Sequence, residues 1–160
     1  MLVIFEGADG SGKTTLINQL LKAGVLDCKV TIPRGANYQK DMYSIMKKSP
    51  AICGADRSCI SDIVYRTVDK QERDEVNLSS MIDILDSHDV KVIFCNTPKS
   101  FAYAQARGET FITDPKVHKR ICQIYEDFMY MLNEYTNTRI CTYDFTKDKW
   151  EDISEFIKEY

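Results

Sequence analysis

Gly7 is followed by four residues and then by Gly12-Lys13-Thr14, and this spacing stands between an apolar strand candidate, Leu2 to Phe5, and an amphipathic helix opening with Leu16-Ile17 and Leu20-Leu21. Strand, glycine-rich turn and helix in that order form the P-loop. Gly7, Gly10 and Gly12 can take backbone angles that a Cβ opposes, so successive N–H groups, Ser11 and Thr15 included, can turn inward around an anion. The positive end of the following helix adds to that field. Lys13 is placed to reach the β- and γ-phosphates of a nucleotide and the Thr14 hydroxyl to ligate Mg²⁺. A turn that merely opened a helix would need neither side chain.

Composition narrows the class by exclusion. A chain of 160 residues is most simply one domain, 1–160, large enough to bury a core. With 44% hydrophobic and 28% charged residues it reads as globular. No apolar run approaches a membrane span and the N-terminus lacks the regions of a signal peptide, so a soluble, cytoplasmic protein is expected, with no membrane partner. A net charge of -3 gives no basic footprint, which argues against nucleic acid and leaves any polyanion to a few local arginines. Cys28, Cys53, Cys59, Cys95, Cys122 and Cys141 form no CxxC pair and read as reduced core residues. His88 and His118 have no ligand-spaced neighbours.

Strand and helix candidates alternate along the rest of the chain. Cys28 to Ile32 reads as a strand, Tyr38 to Lys48 as a helix closed by Pro50, and Ala51 to Ala55 as a short buried strand running into Asp56-Arg57-Ser58. A helix from Ser58 to Val68, a polar link from Asp69 to Glu75 and a helix from Ser79 to Ser87 follow. Val90 to Cys95 is the clearest internal strand. After Pro98 come a short helix and a loop at Ala106-Arg107-Gly108-Glu109. Asp114-Pro115 opens a helix through Ile121, Tyr125 and Leu132. Arg139 to Tyr143 is a last strand, and Asp148 is expected to cap a final helix. The alternation predicts a three-layer α/β fold with a mostly parallel, five-stranded sheet and helices on both faces. Ligands then belong at the carboxyl ends of the strands, where the P-loop, Pro33-Arg34, Asp56-Arg57 and the segment after Cys95 can converge.

These motifs resemble those of the thymidylate kinase family of P-loop nucleoside monophosphate kinases. Phe5 to Thr15 is similar to that family's N-terminus, with an acidic residue, Asp9, inside the loop. Asp56-Arg57, with Ser61 and Tyr65 following, is similar to its Asp-Arg motif opening a helix. Ala106 to Glu109 resembles its mobile lid, here a short one around 99–114.

The resemblance implies ATP and Mg²⁺ as cofactors and a small-molecule nucleotide as acceptor. Lys13, Mg²⁺ on Thr14 and the loop amides would hold ATP, and Asp9 would bind the sugar 3′-hydroxyl of the acceptor. Arg57 would hold the acceptor's 5′-phosphate by bidentate hydrogen bonds, and Asp56 would orient a metal-bound water or help position Arg57. Arg34 is a second candidate for that phosphate, with a solvated loop arginine as the bland reading. Ser61, Tyr65 and Arg66 fall on the acceptor side. The loop carries Gly10-Ser11 and no arginine, so by the resemblance the cation stabilising the transferring phosphoryl group comes from the lid, as Arg107. An arginine supplied in this way can be worth roughly 10³-fold in rate. A homodimer is also implied.

The chain departs from the family in ways that bear on the base. It has no room between Lys48 and Ala51 for a helix that carries a base-stacking phenylalanine, and position 66 is arginine where the family has glutamine. Tyr38, Tyr43 and Tyr65 could stack on a base or pack in the core. Transfer from ATP to a deoxynucleoside monophosphate, dTMP or a related nucleotide, is therefore the first reading. A deoxynucleoside kinase acting on a free 5′-hydroxyl is the rival, because Asp56-Arg57-Ser58 also resembles that family's acidic-Arg-Ser motif. That reaction needs a general base, and Pro33-Arg34-Gly35 supplies no carboxylate. A nucleotide-binding protein without catalysis ranks below both.

Overall fold

The computed structural model describes residues 1–32, 40, 42, 44, 45, 47, 51–69, 78–87, 89–108 and 112–159. Five strands among them form one parallel sheet: β1 (Leu2–Glu6), β2 (Cys28–Val30), β3 (Cys53–Asp56), β4 (Val90–Cys95) and β5 (Arg139–Tyr143), in the order β2-β3-β1-β4-β5. Six helices among the described residues connect and cover it: α1 (Lys13–Lys22), α2 (Cys59–Asp69), α3 (Leu78–Leu85), α4 (Ser100–Ala106), α5 (Pro115–Tyr135) and α6 (Trp150–Lys158). Lys40, Met42, Ser44, Ile45 and Lys47 are also helical, within the stretch expected to be a helix. Pro33, Arg34, Tyr38, Tyr43 and all of the polar link after Asp69 lie outside the described residues. No helix among the described residues is long and apolar enough to cross a membrane.

The two-residue period of the strands divides the core. On β1, Leu2 and Ile4 face one side with Val90, Val92 and Phe94 of β4, and meet Ile60, Val64, Met81, Ile121, Tyr125 and Leu132 from α2, α3 and α5. Val3 and Phe5 face the other side and meet Leu16, Ile17 and Leu20 of α1 and Ile153 and Ile157 of α6. Every residue of β1 is buried, because β3 and β4 flank it and helices cover both faces; each such apolar side chain contributes about 1.5–3 kcal/mol on burial. The P-loop leaves the end of this central strand, with β3 on one side and β4 on the other. That is the topological switch point, where ligands of open parallel sheets bind.

Several boundaries differ from the sequence expectation. β2 stops at Val30 rather than Ile32, its last pair in register with β3 being Val30 with Ala55. β3 starts at Cys53 rather than Ala51, because Ile52 spends its backbone groups on Asp27. Its N–H donates to Asp27 Oδ2 at 2.6 Å, and its carbonyl accepts from Asp27 N at 2.8 Å. Asp114 caps α5 as expected, accepting from Lys116 N at 2.8 Å, with Pro115 in the first turn; such a cap is worth about 1 kcal/mol. Asp148 does not cap α6. Its carboxylate accepts from Asp144 N at 2.7 Å, closing the turn before the helix, and Lys149 occupies the cap position without a side-chain bond.

All six cysteines are free thiols, but only Cys53, Cys59 and Cys95 are buried. Cys28 and Cys141 belong to the two edge strands, and Cys122 borders a cleft beside α5. These three are half-buried and pack against the margins of the core rather than lying within it.

Candidate phosphoryl-transfer site

The P-loop is held closed from outside as well as by its own turns. Gly10 and Gly12 have φ of 79° and 87°. A Cβ on Gly10 would lie 2.0 Å from the Ser100 carbonyl oxygen, and one on Gly12 would lie 2.6 Å from Cδ1 of Phe145. Helix α4 and the β5–α6 turn thus press directly on the loop, at positions where only glycine fits. Lys13 curls over the loop's own oxygens. Its Nζ donates to Gly7 O at 2.9 Å, Ala8 O at 2.8 Å and Ser11 Oγ at 3.4 Å. Burial, reinforced by the charge of Arg57, lowers the Lys13 ammonium to about 8.

Beside the loop, Thr14 Oγ1 donates to Asp56 Oδ2 at 3.2 Å, and Lys29 Nζ pairs with the same oxygen at 3.0 Å. A hydroxyl and a partly exposed carboxylate are hard oxygen donors of the kind Mg²⁺ takes, so these residues suit such an ion. Lys29 was not foreseen. A lone lysine on a short strand reads as a solvated surface residue until the register sets β2 beside β3.

Arg57 follows β3 with a positive φ of 75°, a conformation that costs an ordinary side chain about 1 kcal/mol or more. Its backbone N–H donates to Phe5 O at 2.9 Å, and both terminal nitrogens of its guanidinium have partners. Nη1 donates to Gly7 O at 3.2 Å, Ser61 Oγ at 3.3 Å and Tyr125 Oη at 3.2 Å, while Nη2 pairs with the carboxylate of Asp9. The Tyr65 ring lies 5.2 Å from the guanidinium carbon. Four residues singled out from the sequence, Asp9, Arg57, Ser61 and Tyr65, are therefore brought into one cluster.

Behind that cluster lies a carboxylate the sequence reading did not assign. Glu6 is fully buried, and it accepts from Ser58 Oγ at 2.6 Å, Ser61 Oγ at 2.5 Å and Tyr125 Oη at 3.2 Å. Burial raises its carboxyl above the ordinary range, while the bonds from Ser58 and Ser61 pull it back. Burial, and then the Glu6 charge, push the Tyr125 phenol well up, so it stays protonated and donates. The signal was present in the sequence: Glu6 continues the row Leu2, Ile4 toward the α2–α5 face, a charged residue in an apolar register.

Arg66 and Arg107 stand apart from this cluster. Arg66 pairs with Asp62 on its own helix at 3.1 Å. Arg107 ends α4 and is exposed, its Nε donating to Tyr103 O at 3.5 Å. Arg34 lies outside the described residues. On the far side of the loop, His118 Nε2 lies 3.2 Å from Asp9 O, and the rings of Tyr103 and Phe145 meet edge to face at 5.0 Å. A cleft of about 730 Å³ opens between α4, α5 and the turn after β5, bordered by Lys99, His118, Glu126 and Lys147.

No protein-family model matches the chain, and no curated protein matches it. Solved structures do. The chain is similar to the YorR protein of Bacillus subtilis, solved in complex with phosphorylated GDP, at 18% identity over 98% of this chain and 93% of that one, with a TM-score of 0.70. It is similar to deoxyadenosine kinase from M. mycoides with bound dATP at 18% identity over 99% and 100% of the two chains, with a TM-score of 0.65. The same enzyme with its products dCMP and dCDP gives 16% identity over 98% and 96%, with a TM-score of 0.62. At these identities the likeness speaks for architecture, and the chain has the three-layer α/β fold of P-loop kinases.

Proposed function

We propose that this protein is an ATP-dependent nucleotide kinase that transfers the γ-phosphoryl group of ATP to the 5′-phosphate of a deoxynucleoside monophosphate, dTMP or a related nucleotide. The observation that carries the reading is the placement of Arg57. It stands at the carboxyl end of β3, tied to Asp9 of the P-loop, while its neighbour Asp56 reaches Thr14. One strand end thus offers a cation for an acceptor phosphate and a carboxylate for the donor side.

In-line phosphoryl transfer asks for positioning and charge neutralisation more than for covalent help. An oxygen of the acceptor phosphate forms the new bond to the γ-phosphorus as the bond to the leaving ADP breaks. Lys13, now bound to loop carbonyls, would exchange them for the β- and γ-phosphate oxygens. Thr14 and Asp56 would hold Mg²⁺, which neutralises charge on the β- and γ-phosphates. Arg57 would hold the acceptor phosphate, Asp9 the acceptor sugar and Arg107 the transferring group. Ser61, Tyr65 and Arg66 would line the acceptor side. The acceptor is a small molecule rather than a nucleic acid, and the protein works as a cytoplasmic homodimer with 99–114 as its lid.

A second reading is a deoxynucleoside kinase, favoured by the likeness to deoxyadenosine kinase. ADP release from ATP, measured against a panel of deoxynucleosides and their monophosphates, separates the two. Turnover of monophosphates supports the first reading, and turnover of nucleosides alone replaces it with the second. No turnover with any acceptor makes the protein a nucleotide binder.

A further inference from the structure

The Glu6 carboxyl and the Arg57 guanidinium share no hydrogen bond. They are joined through two hydroxyls. Ser61 Oγ donates to Glu6 Oε2 at 2.5 Å and accepts from Arg57 Nη1 at 3.3 Å. Tyr125 Oη lies 3.2 Å from the same Oε2, 2.7 Å from Ser61 Oγ, and accepts from Arg57 Nη1 at 3.2 Å. A hydroxyl has one proton to give, and an ionised carboxylate can only accept. With Glu6 ionised, the proton of Ser61 goes to the carboxylate and that of Tyr125 goes to the carboxylate or to Ser61. Both oxygens therefore turn lone pairs toward Nη1. Ser58 Oγ takes the other carboxylate oxygen at 2.6 Å and keeps it from rotating.

We infer that Glu6 is the positioning residue for Arg57, fixing the guanidinium through the proton directions of Ser61 and Tyr125. The part of this inference that concerns turnover rests on the acceptor-phosphate role proposed for Arg57. The part that concerns the guanidinium itself does not. Three further observations support it. Glu6 is fully buried between β1, α2 and α5, and so has no route to substrate. Tyr125 is clamped by Phe94, stacked at 6.1 Å, and by Tyr65, edge-on at 6.5 Å, so its hydroxyl has little freedom to seek other partners. Arg57 also has a left-handed backbone and needs several side-chain contacts to hold it.

An amide at position 6 keeps the shape but adds an N–H₂ donor. With the N–H₂ turned toward Ser61 and Tyr125, at least one of these hydroxyls must reverse its proton or lose a partner, and Arg57 loses an acceptor. The test is Glu6→Gln, with Tyr125→Phe as a second variant that keeps the ring packing and removes one bridging oxygen. Two readouts are taken on each folded variant: the exchange of the Arg57 guanidinium protons by NMR in the nucleotide-free protein, and steady-state kinetics with separate ATP and acceptor titrations.

The expected result is guanidinium exchange accelerated at least about tenfold, with acceptor kcat/KM lowered about 10- to 100-fold and the KM for ATP nearly unchanged, as for loss of a hydrogen bond to a charged group. The double variant should lose less than the product of the two single losses, because both act through one network. Unchanged guanidinium exchange in Glu6→Gln overturns the role of Glu6 whatever the kinetics show. Should Glu6→Gln not fold, unchanged exchange in Tyr125→Phe overturns it instead. A wild type that turns over no monophosphate removes the acceptor reading alone, and the NMR result then decides the role of Glu6 by itself.

Discussion

The carboxylate of Asp9 holds Nη2 of Arg57 and so ties the P-loop to the carboxyl end of β3. The two residues are 48 positions apart, and the pairing exists only because β3 lies next to β1 in the sheet. It places the cation assigned to the acceptor within reach of the donor loop. Arg57→Ala should raise the acceptor KM and lower kcat, together reducing kcat/KM about 10²- to 10³-fold, the scale for a charged group that stabilises phosphoryl transfer. Steady-state titration of the acceptor at saturating ATP checks this. A defect confined to ATP affinity would remove the assigned role.

Lys13→Ala should abolish turnover, and near-normal ADP release from that variant would end the P-loop assignment. The lowered Lys13 also makes a pH prediction. In the unfolded chain it titrates near its ordinary 10.5 and in the folded, nucleotide-free protein at about 8. Between these values the unfolded chain binds more protons, so this residue makes stability rise with pH across that window, and its penalty is at full size below about 8. The wild type minus Lys13→Met difference in unfolding free energy, followed from pH 7 to 10, should show that slope. On the proposed reading ATP would restore the charged form, so calorimetry near pH 8 in buffers of different ionisation enthalpy should detect proton uptake on binding.

Gly10→Ala should both unseat α4 and weaken nucleotide binding. The added carbon would meet the Ser100 carbonyl at 2.0 Å and a backbone φ of 79°, and neither can relax cheaply. A loss of stability of about 2 kcal/mol or more is expected, read as a fall in Tm. Gly24→Ala is the control: its φ is 67° but nothing lies within 4 Å of the new carbon, so it should show the backbone cost alone, about 1 kcal/mol.

Lys91 is 1% exposed and drives its ammonium into the C-terminus of α6. It donates to Phe156 O at 2.6 Å, to Ile157 O at 2.9 Å and to Glu159 O. Among the described residues these carbonyls have no backbone partner further along the helix, and the negative end of the helix dipole favours a cation there. Lys91→Met keeps the stem packing and removes the donor, leaving acceptors unmet. A destabilisation of about 1–3 kcal/mol is expected in urea unfolding, with the m-value unchanged.

Much of the fold was legible because its signals are local. Val90 to Cys95 and Arg139 to Tyr143 are strands at the bounds read from β-branched and aromatic runs, and Asp114-Pro115 starts α5 by cap chemistry contained in two residues. The misses share a cause. β3 starts late because Ile52 bonds to Asp27, and Asp148 serves a turn rather than a helix because its carboxylate is taken by Asp144 N. Lys91 reads as a charged interruption of a buried strand until α6 arrives over it. In each case a side chain or strand end is claimed by a group distant in sequence or by a competing neighbour.

The P-loop belongs to the sequence. Its glycines, Lys13 and Thr14 all fall between positions 7 and 14, flanked by their own strand and helix, and the backbone angles they permit are a local property. The tertiary structure decided what stands against that loop. It put α4 on Gly10 and Phe145 on Gly12, and it set Asp56 beside Thr14 and Arg57 beside Asp9. It also turned Glu6, by the alternation of β1, into a buried carboxylate behind Arg57. Spacing along the chain specifies a local turn, but the distance between two charged groups on different strands is set by sheet order and register, which emerge only when the core packs.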